Sequence, residues 1–405
     1  MIDLDARYTR PDWVRRLNLM GDAVGGARHL VPLDPSALID RAREATGLDD
    51  FGDVDGDWRA RLDGLVPALE ETGHLHVVGR LLTRQEILRC LVSRLRLAQR
   101  LRERPGVRNE RVAAPMVIAG PARSGTSILQ ELLWLDPEAR CPLAYESLQP
   151  APGPDLAGDR HREVAECEQE LWSDVQPEFA AVHELAAHLP MECIALRQPS
   201  FGGFHWSMIA DIPGYVPDFP AAMAYHRAAL QSLQHGAPPR TWVLKTPVYL
   251  MMLDLVFETY PDAAVIVTHR DPVKTLPSGF STLATVRWLR SDRVDLSGTD
   301  GTGAGLLLLA LMQREQAGTL PGPVHHLQFA DLMRDPAGAI EKLYAALGRP
   351  FTAAYRQSIV DYLASKPKGK HGTHRYAPED WDMDTSQIRE VMKPYMDYYD
   401  VPEEA

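Results

Sequence analysis

Three stretches of this 405-residue chain carry cations and hydroxyls in patterns suited to holding an anion. The first is Gly120-Pro-Ala-Arg-Ser-Gly-Thr-Ser127, in which Gly120 and Gly125 have the spacing of the phosphate-cradling turn G-x-x-x-x-G-K-[ST]. Thr126 stands where the lysine belongs. Such a turn aims successive backbone N–H groups and the positive end of a helix at one anionic oxygen, so the cradle survives without lysine. What is lost is the ammonium that reaches the β- and γ-phosphates of a nucleoside triphosphate, and Arg123 inside the loop supplies a planar fork instead. The expected ligand is a single sulfate- or phosphate-like group rather than Mg-ATP. The second stretch is Leu244-Lys-Thr-Pro247, with Lys245 just before a proline-started helix. The third is Asp262-Ala-Ala-Val-Ile-Val-Thr-His-Arg-Asp-Pro272, which delivers Arg270 and is followed by Ser278, eight positions on.

The surrounding pattern says how these residues are positioned. Met116–Ala119 is a short apolar strand, and Ser127–Leu133 switches to helical spacing. Further strands are expected at Trp242–Leu244, Ala264–Thr268 and Val324–Phe329. Helices are expected at Tyr249–Thr259, Pro272–Arg290, Gly305–Ala317 and Ala337–Leu347. This alternation predicts a parallel sheet, and Lys245 and Arg270 fall at carboxyl ends of strands, the edge at which open α/β sheets bind ligands. Near the end of the chain, Ile388, Val391, Met392, Tyr395 and Met396 repeat as one helical face.

Residues 1–110 read as a helical extension, with a brief strand at His74–Val78. Thr83-Arg-Gln-Glu86 is expected to cap a helix whose apolar face is Ile87, Leu88, Leu91, Val92 and Leu95. Its arginines, Arg84, Arg89, Arg94, Arg96, Arg100, Arg102 and Arg104, are expected to form a solvated face on a packed helix rather than a membrane-surface one. Asp53, Asp55 and Asp57 alternate as in a calcium loop. Trp58 and Gly64, however, occupy its glycine and glutamate positions, so an acidic turn is expected. Residues 159–235 read as a helical insertion over the site.

Composition bounds the function. The net charge of −12 argues against a nucleic-acid partner while allowing a local basic pocket. Cys90, Cys141, Cys167 and Cys193 show no zinc or redox spacing and read as buried thiols. The N-terminus has no signal-like pattern and no apolar run is long enough to span a membrane, so a cytoplasmic location is expected, with peripheral membrane contact left open.

Taken in order, the loop Gly120–Ser127, Lys245, and Arg270 with Ser278 resemble the sulfotransferases that use 3′-phosphoadenosine 5′-phosphosulfate (PAPS). The resemblance is nearest to tyrosylprotein sulfotransferases and their bacterial relatives and covers roughly residues 115–384. It implies an α/β fold with a P-loop-type parallel sheet flanked by helices and a catalytic domain over 111–405, and the helical extension over 1–110 falls outside it. Arg123, Ser124, Gly125, Thr126 and Ser127 would hold the 5′-phosphosulfate, and Arg270 and Ser278 the 3′-phosphate. Lys245 would contact the bridging and sulfuryl oxygens. The basic stretch Lys366–Tyr376 resembles the family's C-terminal loop, with Lys368, Gly369 and Lys370 on the 3′-phosphate.

A glutamate shortly after the loop helix is the base in that branch, and Tyr145-Glu146-Ser147 offers Glu146. The connection is longer than usual, which leaves Glu138 as a rival, and His183, His188 and His205 as alternatives on the histidine-using branch. The implied reaction is in-line displacement at sulfur by an acceptor hydroxyl, without metal, with adenosine 3′,5′-bisphosphate leaving. Apolar residues between Phe201 and Phe219, with Tyr145 and Trp288, fit a hydrophobic alcohol, phenol or lipid acceptor, and fit core packing equally well. A P-loop kinase, contradicted by Thr126, and a non-catalytic nucleotide-binding protein are the competing readings.

Overall fold

The computed structural model describes residues 3–182, 184–296, 303–366, 374 and 376–404. Five strands, Met116–Ala119 (β1), Ala139–Arg140 (β2), Thr241–Lys245 (β3), Ala264–His269 (β4) and Val324–Gln328 (β5), form one sheet in the order β2-β3-β1-β4-β5. Every pairing is parallel. β1, β3 and β4 are buried on both faces, which is why they read as continuous apolar runs rather than alternating ones. From central β1 the chain runs to β2 and β3 on one side and to β4 and β5 on the other. The loop after β1 therefore opens at the point where strand order reverses, where such sheets bind ligands.

Helices cover both faces. One core layer joins Val117, Leu244, Val265 and Val267 to the helices Phe219–Gln234, Leu253–Thr259, Gly303–Gln316 and Thr385–Tyr398. The other joins Met116, Ile118, Val243 and Ile266 to the loop helix Thr126–Trp134 and to Pro336–Ala346 and Ala353–Ser365. Successive residues of one strand thus feed opposite layers, as the pleat requires.

The first hundred residues are helical and share a third core cluster, in which Leu38, Leu62, Leu91 and Leu95 pack with Phe201, Trp206, Ile209 and Ile212. Within it, the helix expected from Thr83 in fact begins at Val77, because His76 caps it, its Nδ1 accepting the Gly79 N–H at 2.9 Å. Thr83 and Glu86 are buried interior residues, and the expected strand at His74–Val78 reduces to one bridge between Leu75 and Ser291.

The solvated arginine face holds for Arg102 and Arg104, which are exposed, and is corrected at three other positions. Arg89, Arg94 and Arg96 are buried and pair with Glu168, Asp55 and Asp155 on neighbouring segments, at 2.9, 2.7 and 2.5 Å. Asp55 accepts from both Arg94 and Arg61, so the acidic turn is a structural anchor. Cys90, Cys141 and Cys193 are buried as expected, whereas Cys167 is exposed on the helix Arg160–Val175. Among the described residues no helix is long and apolar enough to cross a membrane.

Candidate functional site

The loop between β1 and its helix is held tightly. A Cβ on Gly120 would lie 2.2 Å from Thr268 Oγ1, so only glycine allows β1 to turn against β4 there. Gly125 has φ +86°, and Arg123 adopts a left-handed φ of +65°, an uncommon conformation for a side chain of its size. Such outliers persist where surrounding structure over-determines them, often at ligand clamps. Here the determinant is Ser124, fully buried, whose hydroxyl lies 2.6 Å from the Pro121 carbonyl and 2.5 Å from Thr268 Oγ1. Ser124 is committed to the loop itself, so what it offers a ligand is backbone. Arg123 is exposed, and Thr126 and Ser127 open the loop helix with their N–H groups at its positive end.

The two cations expected from other strands stand beside this loop. Register pairs Ile118 with Lys245 and Ala119 with Val267, so β3 and β4 end level with the start of the turn. Arg270, the residue after β4, donates from Nη1 to the Arg123 carbonyl at 2.7 Å and lies 4.0 Å over the Phe329 ring. Phe329 in turn lies under Gly125, 3.1 Å from the place a Cβ would take. Ser278 is fully buried in the helix Pro272–Trp288, and its hydroxyl has no hydrogen-bond partner among the described residues. One turn further on, Ser281 Oγ lies 2.8 Å from His374 Nε2, which brings the end of the basic C-terminal stretch to this helix. Burial first, then the charges of Arg123 and Arg7, lowers the His374 pKa to about 4. Lys368, Gly369 and Lys370 lie outside the described residues.

Lys245 is 1% exposed, and Glu192 Oε1 lies 2.5 Å from its ammonium. Sequence reasoning missed Glu192, because Met191-Glu-Cys193 has no motif and lies fifty-three residues before its partner. Its placement comes from backbone pairing. The Met191 N–H donates to the Pro142 carbonyl, the Ala144 N–H to Leu189, and Leu143 bridges Pro190, while Gln130 of the loop helix donates to the Met191 carbonyl. The segment carrying Glu192 is thus laid alongside the segment that leads to Glu146.

Glu146 lies in the short helix Ala144–Leu148 and reaches back to accept the Leu143 N–H at 3.1 Å. Its other oxygen meets Arg140 Nη2 at 3.2 Å. Burial pushes its carboxyl above the ordinary range, against the opposing pull of the Leu143 N–H and of Arg140. Arg140 pairs with Trp242 in register, so Leu143 follows β2 by as many residues as Lys245 follows Trp242. By that count Glu146 belongs to the carboxyl edge of the sheet, one strand away from Lys245.

The rivals fall elsewhere. Glu138 precedes β2 and its carbonyl accepts the Thr241 N–H, at the amino end of the strands. His205 is buried against Glu86 at 3.1 Å, with Glu86 also held by Arg290 at 2.7 Å, and burial lowers the His205 pKa. It is part of the core. His188 is exposed, and His183 lies outside the described residues. Of the aromatic residues expected near an acceptor, Phe201, Trp206 and Trp288 are buried core side chains, and Tyr145 meets His161 edge-on. Among the described residues no cluster of three His, Cys, Asp or Glu side chains could hold a metal ion.

Comparison with known proteins bears on this geometry. A sequence profile described as "Sulfotransferase family" matches residues 115–353, more than half of the chain. The omega-hydroxy-beta-dihydromenaquinone-9 sulfotransferases Stf3 of Mycobacterium bovis and Mycobacterium tuberculosis are each 24% identical over 281 residues, 65% of this chain and 70% of theirs. Sulfotransferase STF1 from Mycobacterium tuberculosis H37Rv superposes with a TM-score of 0.72 at 23% identity, covering 90% of this chain and 99% of that one. STF9 from Mycobacterium avium gives 0.74 at 22% identity, covering 91% and 97%. At such identity these two structures speak for the α/β fold. The relatives are mycobacterial sulfotransferases, and they do not carry the narrower likeness to the tyrosylprotein branch.

Proposed function

Because this chain belongs to the sulfotransferase family, whose general reaction is transfer of a sulfuryl group from PAPS, we propose that the edge of β3, β1 and β4 is where it binds that donor. The support is one observation: Lys245, the Gly120–Ser127 loop and Arg270 stand at the ends of three neighbouring strands. In this reading the loop is a P-loop-type cradle in which the N–H groups of Ser124 to Ser127, with Arg123, hold the 5′-phosphosulfate. Arg270 and the hydroxyl of Ser278 take the 3′-phosphate, together with Lys368, Gly369 and Lys370. A buried hydroxyl without a partner is costly unless a ligand supplies one, and Ser278, which has none among the described residues, fits an anion in that respect.

The donor brings an activated sulfuryl group. The chain's own residues do the rest. Glu146, whose burial favours a proton at higher pH than an ordinary carboxylate, takes the proton of the acceptor hydroxyl. Lys245 and Arg123 stabilise charge as it develops on the leaving oxygens, and the buried Lys245 is set where a fixed charge acts strongly. Glu192 holds the Lys245 ammonium in place. Thr126, in place of a triphosphate-binding lysine, fits a reaction run without a divalent metal.

For the acceptor we favour the hydroxyl of a hydrophobic or lipid alcohol. The support is chemical kinship with the menaquinone-modifying Stf3 enzymes, whose name specifies an ω-hydroxylated isoprenoid quinone. Residues 1–110 are then a helical extension packed on a catalytic domain over 111–405, with 159–235 covering the site, in a protein working in the cytoplasm. The experiment is a transfer assay with sulfur-labelled PAPS and two acceptor classes, ω-hydroxylated polyprenyl quinols and tyrosine peptides. Label on the isoprenoid hydroxyl is expected. Label on the peptide alone would return the chain to the tyrosylprotein reading.

A further inference from the structure

The cation assigned to the 3′-phosphate already grips an anion belonging to the chain. Arg270 Nε donates to Glu404 Oε1 and Nη2 to Glu404 Oε2, both at 2.7 Å, a two-pronged grip on one carboxylate. With Nη1 on the Arg123 carbonyl, the forked edge that suits a phosphate is filled. The neighbouring charges are set to keep the tail there. The Glu404 N–H donates to Asp271 Oδ2 at 2.8 Å, and Arg389 from the helix Thr385–Tyr398 reaches Asp271 at 3.0 Å, the Glu404 carbonyl at 3.4 Å and Glu403 at 3.2 Å. The Glu404 backbone is therefore pinned by Asp271 and Arg389. Its side chain, 30% exposed, is held by Arg270.

We propose that Glu404 is an internal occupant of the 3′-phosphate subsite and sets the affinity of that subsite by competing for Arg270. The inference rests on the reading of Arg270 given above. A phosphate dianion and a carboxylate on one guanidinium repel each other strongly in a partly buried setting, so both cannot use the fork. Because the backbone anchors lie on Asp271 and Arg389, the exchange needs only rotation of the Glu404 side chain, not release of the tail. Glu404 swings out as the 3′-phosphate arrives and returns as adenosine 3′,5′-bisphosphate leaves, which holds product affinity down. An adenosine 5′-nucleotide without the 3′-phosphate leaves the pair intact.

The test is calorimetric titration of the wild type, Glu404→Ala, Glu404→Gln and Arg270→Ala with adenosine 3′,5′-bisphosphate and with AMP, at one fixed salt concentration. Both Glu404 variants should bind the bisphosphate about tenfold or more tightly than the wild type, the scale of one lost charge-assisted competitor, and bind AMP unchanged. Thermal melting of each variant verifies the fold. Unchanged bisphosphate affinity in both Glu404 variants would overturn the proposal. Weaker affinity would do so too, by making Glu404 a support that orients Arg270. Arg270→Ala separates the two levels of the argument. If it abolishes the preference for the bisphosphate while the Glu404 variants change nothing, the subsite stands and the competition falls. If the preference survives Arg270→Ala, the subsite assignment has failed, and the competition with it.

Discussion

Replacing Glu146 with glutamine removes a proton acceptor while keeping its size. The amide oxygen can still accept the Leu143 N–H that Glu146 now accepts at 3.1 Å, so the turn of the short helix survives. Arg140 loses a charged partner at 3.2 Å but keeps its contact with the Trp242 ring at 4.0 Å and with the Leu233 carbonyl at 3.3 Å. The structural cost is therefore about 1.5–3 kcal/mol at most, the scale of one hydrogen bond to a charged group. The chemical cost falls on the rate instead: kcat should fall by about 10² or more, about 2.7 kcal/mol on the barrier, with nucleotide affinity unchanged. The pH profile adds a second signature. A base works only when ionised, and burial raises the Glu146 pKa, so the acidic limb of kcat/KM in the wild type should lie above the ordinary carboxylate range and vanish in the variant. Turnover with labelled PAPS measures both. Near-normal kcat in Glu146→Gln, with collapse in Glu192→Gln, Glu138→Gln, His183→Ala, His188→Ala or His205→Ala, would refute the assignment and move the base to that residue.

Asp55→Asn should destabilise the protein by about 3–5 kcal/mol, since it strips Arg94, wholly buried, of a two-pronged partner at 2.7 and 2.8 Å; chemical denaturation reads it, and a loss under 1 kcal/mol would contradict the buried-pair account. Glu86 titrates at about 2 rather than its ordinary 4.5 because Arg290 and His205 overcome the opposing effect of burial. Its folded pKa is depressed, so its contribution, on the order of 3 kcal/mol, is present above about pH 4.5 and lost as pH falls towards about 2. Glu86→Gln should flatten that part of the stability profile, measured by melting across the acid range. Chelation with EDTA should leave sulfuryl transfer intact, and restoration of a lost activity by Mg²⁺ would contradict the metal-free mechanism.

The parallel sheet and the edge it presents were legible because β1, β3 and β4 are buried on both faces and so write unbroken apolar runs, with Lys245 and Arg270 at their ends. β2 was not legible: two residues, Ala139 and Arg140, carry no periodicity. The expected helix Tyr249–Thr259 is a 3-10 turn over Pro247–Met251 followed by an α-helix over Leu253–Thr259, a change of winding that apolar spacing does not record. Buried charge misled the reading of the long helix. Arg89, Arg94 and Arg96 look like a solvated face until their partners arrive from segments 39 to 79 residues away in sequence. The same limit hid Glu192 and Glu404. Neither belongs to a motif, and only the tertiary fold places Glu192 on Lys245 and Glu404 on Arg270.

The most direct measurement is the binding of adenosine 3′,5′-bisphosphate against AMP to the wild-type protein. If Arg270, Ser278 and the basic C-terminal stretch read the 3′-phosphate, the bisphosphate should bind about tenfold or more tightly, since even one charged hydrogen-bonding contact is worth that much. Equal affinities would contradict the assignment of the strand edge to a PAPS-type donor.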